Sequence, residues 1–289
     1  MSMRIKEKYQ EYLDYLQRKG LNEKTIKKHR RYLFGALSHS VEKIRLKDLK
    51  LTDTAKIIEA GSKHGKCGAQ DAIVVFRMYL KFLRESGLEP PFDWRDVEVP
   101  NVPAPLVEYL TPEEIEKTRK AIPLETLAGL RTRTLFETLL HTGLRITEAI
   151  SLNREDVDWQ RREAKVLNVK TKEWGMVFFN PGTLAWLKRY LKVRKDELSA
   201  LFISGRGRLM AVSARNYLCK IAKKIGIKKH LCHHICRRTF ATKLIFENVD
   251  IKSVQTLLRH KSERTTLRYY IGVDEERMKK LHQKAMKNF

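Results

Sequence analysis

The sequence contains no run of eighteen apolar residues, so it offers no stretch long enough to cross a bilayer as a helix. It has little cysteine. Cys67, Cys219, Cys232 and Cys236 are too few and too scattered in 289 residues for a disulfide framework, which points to a reducing, cytoplasmic compartment. The opening residues, MSMRIKEKYQEYL, lack the apolar core of a secretory signal and read as a helix. There is no glycine-rich phosphate loop and no carboxylate cluster spaced for magnesium. Acidic charge is also short: 34 Asp plus Glu stand against 59 Lys plus Arg, a formal net charge of +25. A surplus of that size implies a polyanionic partner, DNA or RNA before an anionic membrane surface. The charge is spread along the chain, which favours a folded protein wrapping a nucleic acid over a neutral domain with a basic arm.

Proline is sparse too, but what there is gathers in one place. Six of the eight prolines lie between Pro90 and Pro112, in PPFDWRDVEVPNVPAPLVEYLTP. Proline resists both helix and central strand, so this stretch reads as an extended linker. The expected boundary is 100–110, with one domain at 1–99 and a second at 111–289. Before the linker, Ile5, Tyr9, Tyr12, Leu13 and Leu16 follow helical spacing, and Gly20 can end that helix. Asn22 can cap a second helix, with Ile26, His29 and Leu33 on one side. Helices near 52–60 and 70–86 complete an all-helical unit. After the linker, Thr111-Pro-Glu-Glu114 is a capping box with proline at the first helical position. A helix over 124–141 is expected to end at Gly143. The segments 163–169 and 176–179 read as two strands joined across 170–175. Helices follow at about 182–196, 213–224, 234–247, 251–259, 263–271 and 274–287, with Asp250, Ser262 and Asp274 as N-caps. The expected fold is mainly α: a small all-helical N-terminal domain and a mainly helical C-terminal domain with a small antiparallel β-sheet.

The stretch 230–244, HLCHHICRRTFATKL, admits three readings. Histidine beside cysteine invites zinc, but structural zinc wants paired ligands, and Cys219 has no companion at two to four residues. A helix start with core cysteines and a basic surface is the second reading. The third is phosphate chemistry. His234 and Arg237 are spaced i, i+3 on one face of a first helical turn, where an arginine fork and a histidine can hold an anion.

Two further motifs bear on the choice. Upstream stands HTGLRITEAISL at 141–152, and downstream LLRHKSERTTLRYYIGV at 257–273. The order T-G-L-R-I-x-E, H-x-x-R-x-T-F-A-T, L-L-x-H-x-x-x-x-T-T-x-x-Y resembles the tyrosine recombinase (phage integrase) family, in its compact Xer-like form. The resemblance covers essentially the whole chain. It implies that the N-terminal domain binds core DNA and that the C-terminal domain is catalytic. Arg145 and Arg237 match the family's two arginines, His234 its histidine, His260 its histidine-or-tryptophan position, and Tyr269 its nucleophile. Glu148 matches the supporting acid. The family's lysine lies on a hairpin, usually in G-K-G-x-K. Here the sequence reads N-V-K-T-K-E-W-G, so Lys170 and Lys172 both qualify, and alignment on the following strand favours Lys170. Arg238 stands where many relatives carry histidine, and is expected to point away from the His234–Arg237 face.

The implied chemistry suits these residue types. Two arginines can clamp a phosphodiester and neutralise charge gained in the transition state. His234 is a candidate base for the tyrosine, and a lysine can protonate the leaving 5′ oxygen. The product is a 3′-phosphotyrosyl link that stores the bond energy, so the resemblance implies neither metal nor cofactor. It implies double-stranded DNA as partner, and a homotetramer on paired sites held through the C-terminal helix. Two alternatives remain at this point: a DNA-binding protein on the same scaffold without strand transfer, and a type IB topoisomerase-like strand relaxation.

Overall fold

In a computed structural model of the chain, the described residues are 3–101, 107–167, 173–205, 207–229, 231–263 and 265–267, with single positions at 279, 282, 283 and 286. Contacts divide the chain into two compact units, Met1–Ala104 and Pro105–Phe289.

The described part of the first unit is helical. A 3-10 turn at Ile5–Lys8 leads into α1 (Tyr9–Arg18), whose Tyr9, Tyr12, Leu13 and Leu16 are buried. That i, i+3, i+4, i+7 spacing puts all four on one stripe of the helix. Asn22 caps α2 (Glu23–Tyr32), its Oδ1 accepting the Thr25 N–H at 2.9 Å. A π-helical stretch at Leu33–Leu37 then carries the chain into the single turn α3 (Ser38–Ser40). Next come α4 (Thr54–Ser62) and α5 (Gly68–Glu85). The Tyr12 ring packs 5.3 Å from both Tyr79 and Phe82 of α5, centroid to centroid. The proline segment behaves differently from an extended linker at its start. Val97 is fully buried, and Phe92, Trp94 and Val99 pack against the helical core. The apolar residues between the prolines anchor 92–99 to the first unit.

The second unit is built around α7. The capping box forms as the sequence implies: Thr111 Oγ1 accepts the Glu114 N–H, and the Glu114 carboxylate accepts the Thr111 N–H. It opens α6 (Pro112–Ala121). Then α7 (Leu127–Thr142) runs through the core and stops at Gly143, which is left-handed at φ 60°. After α8 (Ile146–Ser151), β1 (Val157–Asp158), β2 (Glu163–Leu167) and β3 (Trp174–Phe178) make a three-stranded antiparallel sheet in the order β1-β2-β3. The expected second strand began at 176. It begins two residues earlier, with Leu167 opposite Trp174 and Val166 opposite Gly175. Then follow α9 (Pro181–Lys192), a two-residue ladder of β4 (Ile203–Ser204) with β5 (Gly207–Arg208), α10 (Ala211–Lys224), α11 (His233–Phe246) and α12 (Ile251–Leu258). The Asp250 cap forms, accepting the Ser253 N–H at 2.8 Å. Leu135, Phe136, Leu139, Leu187, Tyr190, Phe202 and Ile235 share the main core. Ala241, Ile245, Val254 and Leu258 join α11 to α12. The fold is mainly helical with small antiparallel sheets. Residues 263 and 265–267 are helical. The rest of the expected 263–271 helix, the Asp274 cap and most of the expected 274–287 helix lie outside the described residues.

One buried pair gives the first unit a pH dependence. The Tyr12 hydroxyl lies 2.9 Å from His29 Nδ1. Burial, with a contribution from Lys28, pushes the His29 pKa from 6.5 down to about 4. As pH falls, the unfolded chain therefore takes up this proton before the folded one does. The stability held by neutral His29 is complete above pH 6.5 and is lost between pH 6.5 and about 4, by roughly 3 kcal/mol at most. Denaturant unfolding across that window should show the loss, and His29→Gln should reduce its slope by about one proton. An unchanged slope would refute the assignment.

Candidate active site

Three turns of the second unit bring the site together. The first is the end of α7. Gly143 holds a positive φ, and a Cβ there would collide with the Phe240 ring. Glycine alone lets the chain reverse this tightly beside α11. The reversal makes Arg145 the N-cap of α8. Its N–H donates to Glu148 Oε2 at 2.9 Å, its Nη1 to Glu148 Oε1 at 2.5 Å, and its Nη2 to the Arg259 carbonyl at 3.2 Å.

The second is the start of α11. Arg237 is only 4% exposed. Its guanidinium donates to the carbonyls of Gly143 and Leu258, so it ties the end of α7 to the end of α12. His234 stands one turn before it, reached by solvent. Partial burial of the ring, and then the charges of Arg238, Arg237 and Arg145, pull its pKa below the ordinary histidine value. Arg238, expected to point away from the His234–Arg237 face, nevertheless acts on His234 through its charge. It sits close enough for its charge to act on His234 more strongly than the other two arginines do.

The third is the end of α12. Arg259 takes a left-handed conformation there, at φ 53°. His260 follows, half-buried, its Nδ1 2.8 Å from the Thr266 hydroxyl. Burial, with Arg237, Arg145 and Arg259, drives its pKa down to about 3. Both imidazoles are thus neutral at pH 7 and sense the same two arginines, Arg145 and Arg237. A neutral imidazole beside guanidinium groups can bond to an anion without adding to their mutual repulsion.

Glu148 is the carboxylate within this group, 1% exposed. Burial alone would raise its pKa. Arg259, the Arg145 N–H and the Arg145 guanidinium outweigh burial and hold the group ionised, below the usual carboxylate range. Arg145, Glu148, His234, Arg237 and His260 are accordingly gathered by the fold. Lys170, Lys172 and Tyr269 lie outside the described residues. Sequence reasoning missed Arg259 and Thr266. In the motif Thr266 marks only the T-T-x-x-Y spacing, and Arg259 fills the variable position of L-L-x-H. The zinc reading gains no support: among the described residues no three His, Cys, Asp or Glu side chains are grouped as metal ligands. Burial also pushes the Cys236 thiol far above its ordinary range, so it stays protonated.

The family profile described as the phage integrase family matches residues 108–277. The chain belongs to the phage integrase family. Among its relatives, it is 29% identical over 276 residues to tyrosine recombinase XerC of Myxococcus xanthus, with 91% of each chain covered. It is 28% identical over 291 residues to tyrosine recombinase XerA of Thermococcus onnurineus, covering 97% of this chain and 96% of that one. Among solved structures, it is similar to a Tn1549 transposon integrase in complex with transposon right end DNA, with a TM-score of 0.79 at 18% identity over 97% of this chain and 100% of that one. It is also similar to a XerH site-specific recombinase bound to a palindromic difH substrate, with a TM-score of 0.75 at 18% identity over 89% of this chain and 79% of that one. These structural likenesses establish the fold. The chain is a tyrosine recombinase, and its class of reaction is site-specific DNA recombination. Among the described residues no helix is long and apolar enough to cross a membrane.

The geometry of this recombinase makes Gly143 a point of sensitivity. Gly143→Ala would strain a left-handed residue and crowd Phe240. The expected cost is about 2 kcal/mol or more, read as a lowered Tm, with strand cleavage falling at temperatures where the variant remains folded. Unchanged stability would show that the turn relaxes freely.

Proposed function

We propose that this recombinase cuts and rejoins double-stranded DNA through a 3′-phosphotyrosyl link at Tyr269, with the scissile phosphate received by Arg145 and Arg237. The observation that supports the reading is electrostatic: His234 and His260 each feel both arginines, so the four side chains share one positively charged neighbourhood. The Tyr269 oxygen forms the bond to phosphorus and the bond to the 5′ oxygen breaks. His234, neutral at pH 7, takes the phenolic proton. Lys170 or Lys172 gives a proton to the leaving 5′ oxygen. Arg145 and Arg237 bind the non-bridging oxygens, where each such donor contributes about a hundredfold or more to the rate. Glu148 keeps Arg145 oriented. Rejoining is the reverse, with a 5′ hydroxyl attacking the phosphotyrosine. The link conserves the energy of the broken ester, so no nucleotide is consumed.

The net charge of +25 supports a DNA partner held largely through its phosphates. The proposed compartment is the cytoplasm. The proposed roles of the units are core-DNA binding by 1–99 and catalysis by 111–289, joined by the linker at 100–110.

The test of the nucleophile separates two adjacent tyrosines. Tyr269→Phe should abolish the covalent adduct on a nicked duplex, read on a denaturing gel, while DNA binding stays nearly intact. Tyr270→Phe should cost no more than a hydrogen bond, about 1 kcal/mol. The reverse pattern would put the reading one residue out of register.

Assembly is proposed as a homotetramer on paired sites, held by the C-terminal tail. Met278, Leu281, Ala285 and Phe289 fall at i, i+3, i+7 and i+11 in sequence, an apolar helical stripe. All four lie outside the described residues. Deleting 275–289 should spare binding to a single site and impair formation of the paired complex in a gel-shift titration. Normal pairing by the shortened chain would refute this.

A further inference from the structure

Arg259 carries two penalties. It ends α12 in the left-handed region, φ 53° and ψ 46°, where any residue but glycine pays about 1 kcal/mol or more. Its side chain is also only 8% exposed, which removes a guanidinium from water. A residue kept against both costs marks a place where the surroundings require it.

Its contacts reach in two directions. Toward the arginine centre, Nη2 lies 3.3 Å from Glu148 Oε2 and 3.5 Å from the Gly143 carbonyl. Toward the sheet, Nη1 donates to the Met176 carbonyl of β3 at 3.3 Å, and to Leu257 at 2.9 Å. The aliphatic stem crosses β3 at Gly175, where an added Cβ would stand 2.6 Å from Arg259 Cδ. This explains a glycine inside a strand: the arginine occupies the side-chain space. Beside this crossing, β3 and α12 are separated by an open cavity of about 550 Å³, lined by Trp174, Met176, Leu257 and His260 among others. Close packing does not fill that space. Arg259 lines its edge and carries a polar contact from the end of α12 to β3.

We propose that Arg259 is a positioning residue that sets the β2–β3 hairpin against the Arg145–Glu148 pair. By fixing β3, it fixes the strand ends, Leu167 and Trp174, between which Lys170 and Lys172 stand in sequence. The consequence for cleavage rests on the general-acid reading of those lysines. The consequence for the hairpin does not.

The experiment uses the full chain carrying Arg259→Gly, which relieves the backbone and removes that contact. Hydrogen exchange should quicken at the β3 amides, 174–178, and stay unchanged in α7 and α9. Binding to a duplex site should change by no more than about twofold, while single-turnover cleavage slows between about tenfold and about a hundredfold, as for a misplaced reacting group. Arg259→Lys keeps the charge without the fork and should show the same split in smaller measure. Unchanged exchange at β3 overturns the proposal, as does exchange that quickens throughout the second unit. A second substrate has sulfur in place of the leaving 5′ oxygen, so the departing thiolate needs no proton. Recovery of Arg259→Gly on that substrate, alongside whichever of Lys170→Ala and Lys172→Ala is slow on the oxygen substrate, supports the route through the hairpin. Recovery of the lysine variant alone overturns that route and leaves the general-acid reading standing. If neither lysine variant is slow, the general-acid reading fails, and the exchange at β3 still decides whether Arg259 positions the hairpin.

Discussion

Two guanidinium groups, of Arg237 and Arg259, converge on one carbonyl, that of Gly143. The end of a helix exposes carbonyls that the helix itself cannot satisfy, and its dipole makes that end negative. Here the end of α7 receives arginines from two other turns. That meeting places Arg237 and Arg259 beside Arg145, two residues past the carbonyl. The three cations have one buried carboxylate among them, Glu148. The local balance stays positive, and burial first, then these charges, keeps the two histidines neutral. Phosphate is the kind of ligand that such a balance favours.

Much of the helical framework was legible because burial and capping both leave marks in the chain. Tyr9, Tyr12, Leu13 and Leu16 announce a face, and Asn22, Thr111 and Asp250 announce starts that the structure shows as hydrogen-bonded caps. The failures have physical reasons too. β1, β4 and β5 are two residues each, too short for alternation to register. The π-helical stretch at Leu33–Leu37 changes hydrogen-bond partners without changing composition. Among the prolines, Phe92 and Val97 were hidden by neighbours that signal extension, although extended chain can also pack. Trp174 and Gly175 did not read as strand because one is exposed and the other has no side chain to bury.

The arginine–histidine group was legible in a different way. Arg145, Glu148, His234, Arg237 and His260 were singled out by motif order, and the fold gathers them through turns that no local pattern specifies. Arg259 was illegible for a reason of conformation. Left-handed caps are expected at glycine or asparagine, so an arginine there reads as a spacer. Only the carbonyls and the carboxylate around it show what it reaches.

The bonded arginines also shift the stage at which ordering occurs. Arg237 has its guanidinium engaged by two main-chain carbonyls, and Arg145 is engaged by Glu148 and a third carbonyl. A long side chain normally surrenders its rotamer freedom when a ligand arrives. In this chain that freedom is already spent in folding, and like charges are held together before any anion separates them. The free protein therefore holds Arg145 and Arg259 together across Glu148. A ligand that binds only this folded arrangement adds its binding free energy to the stability of the second unit.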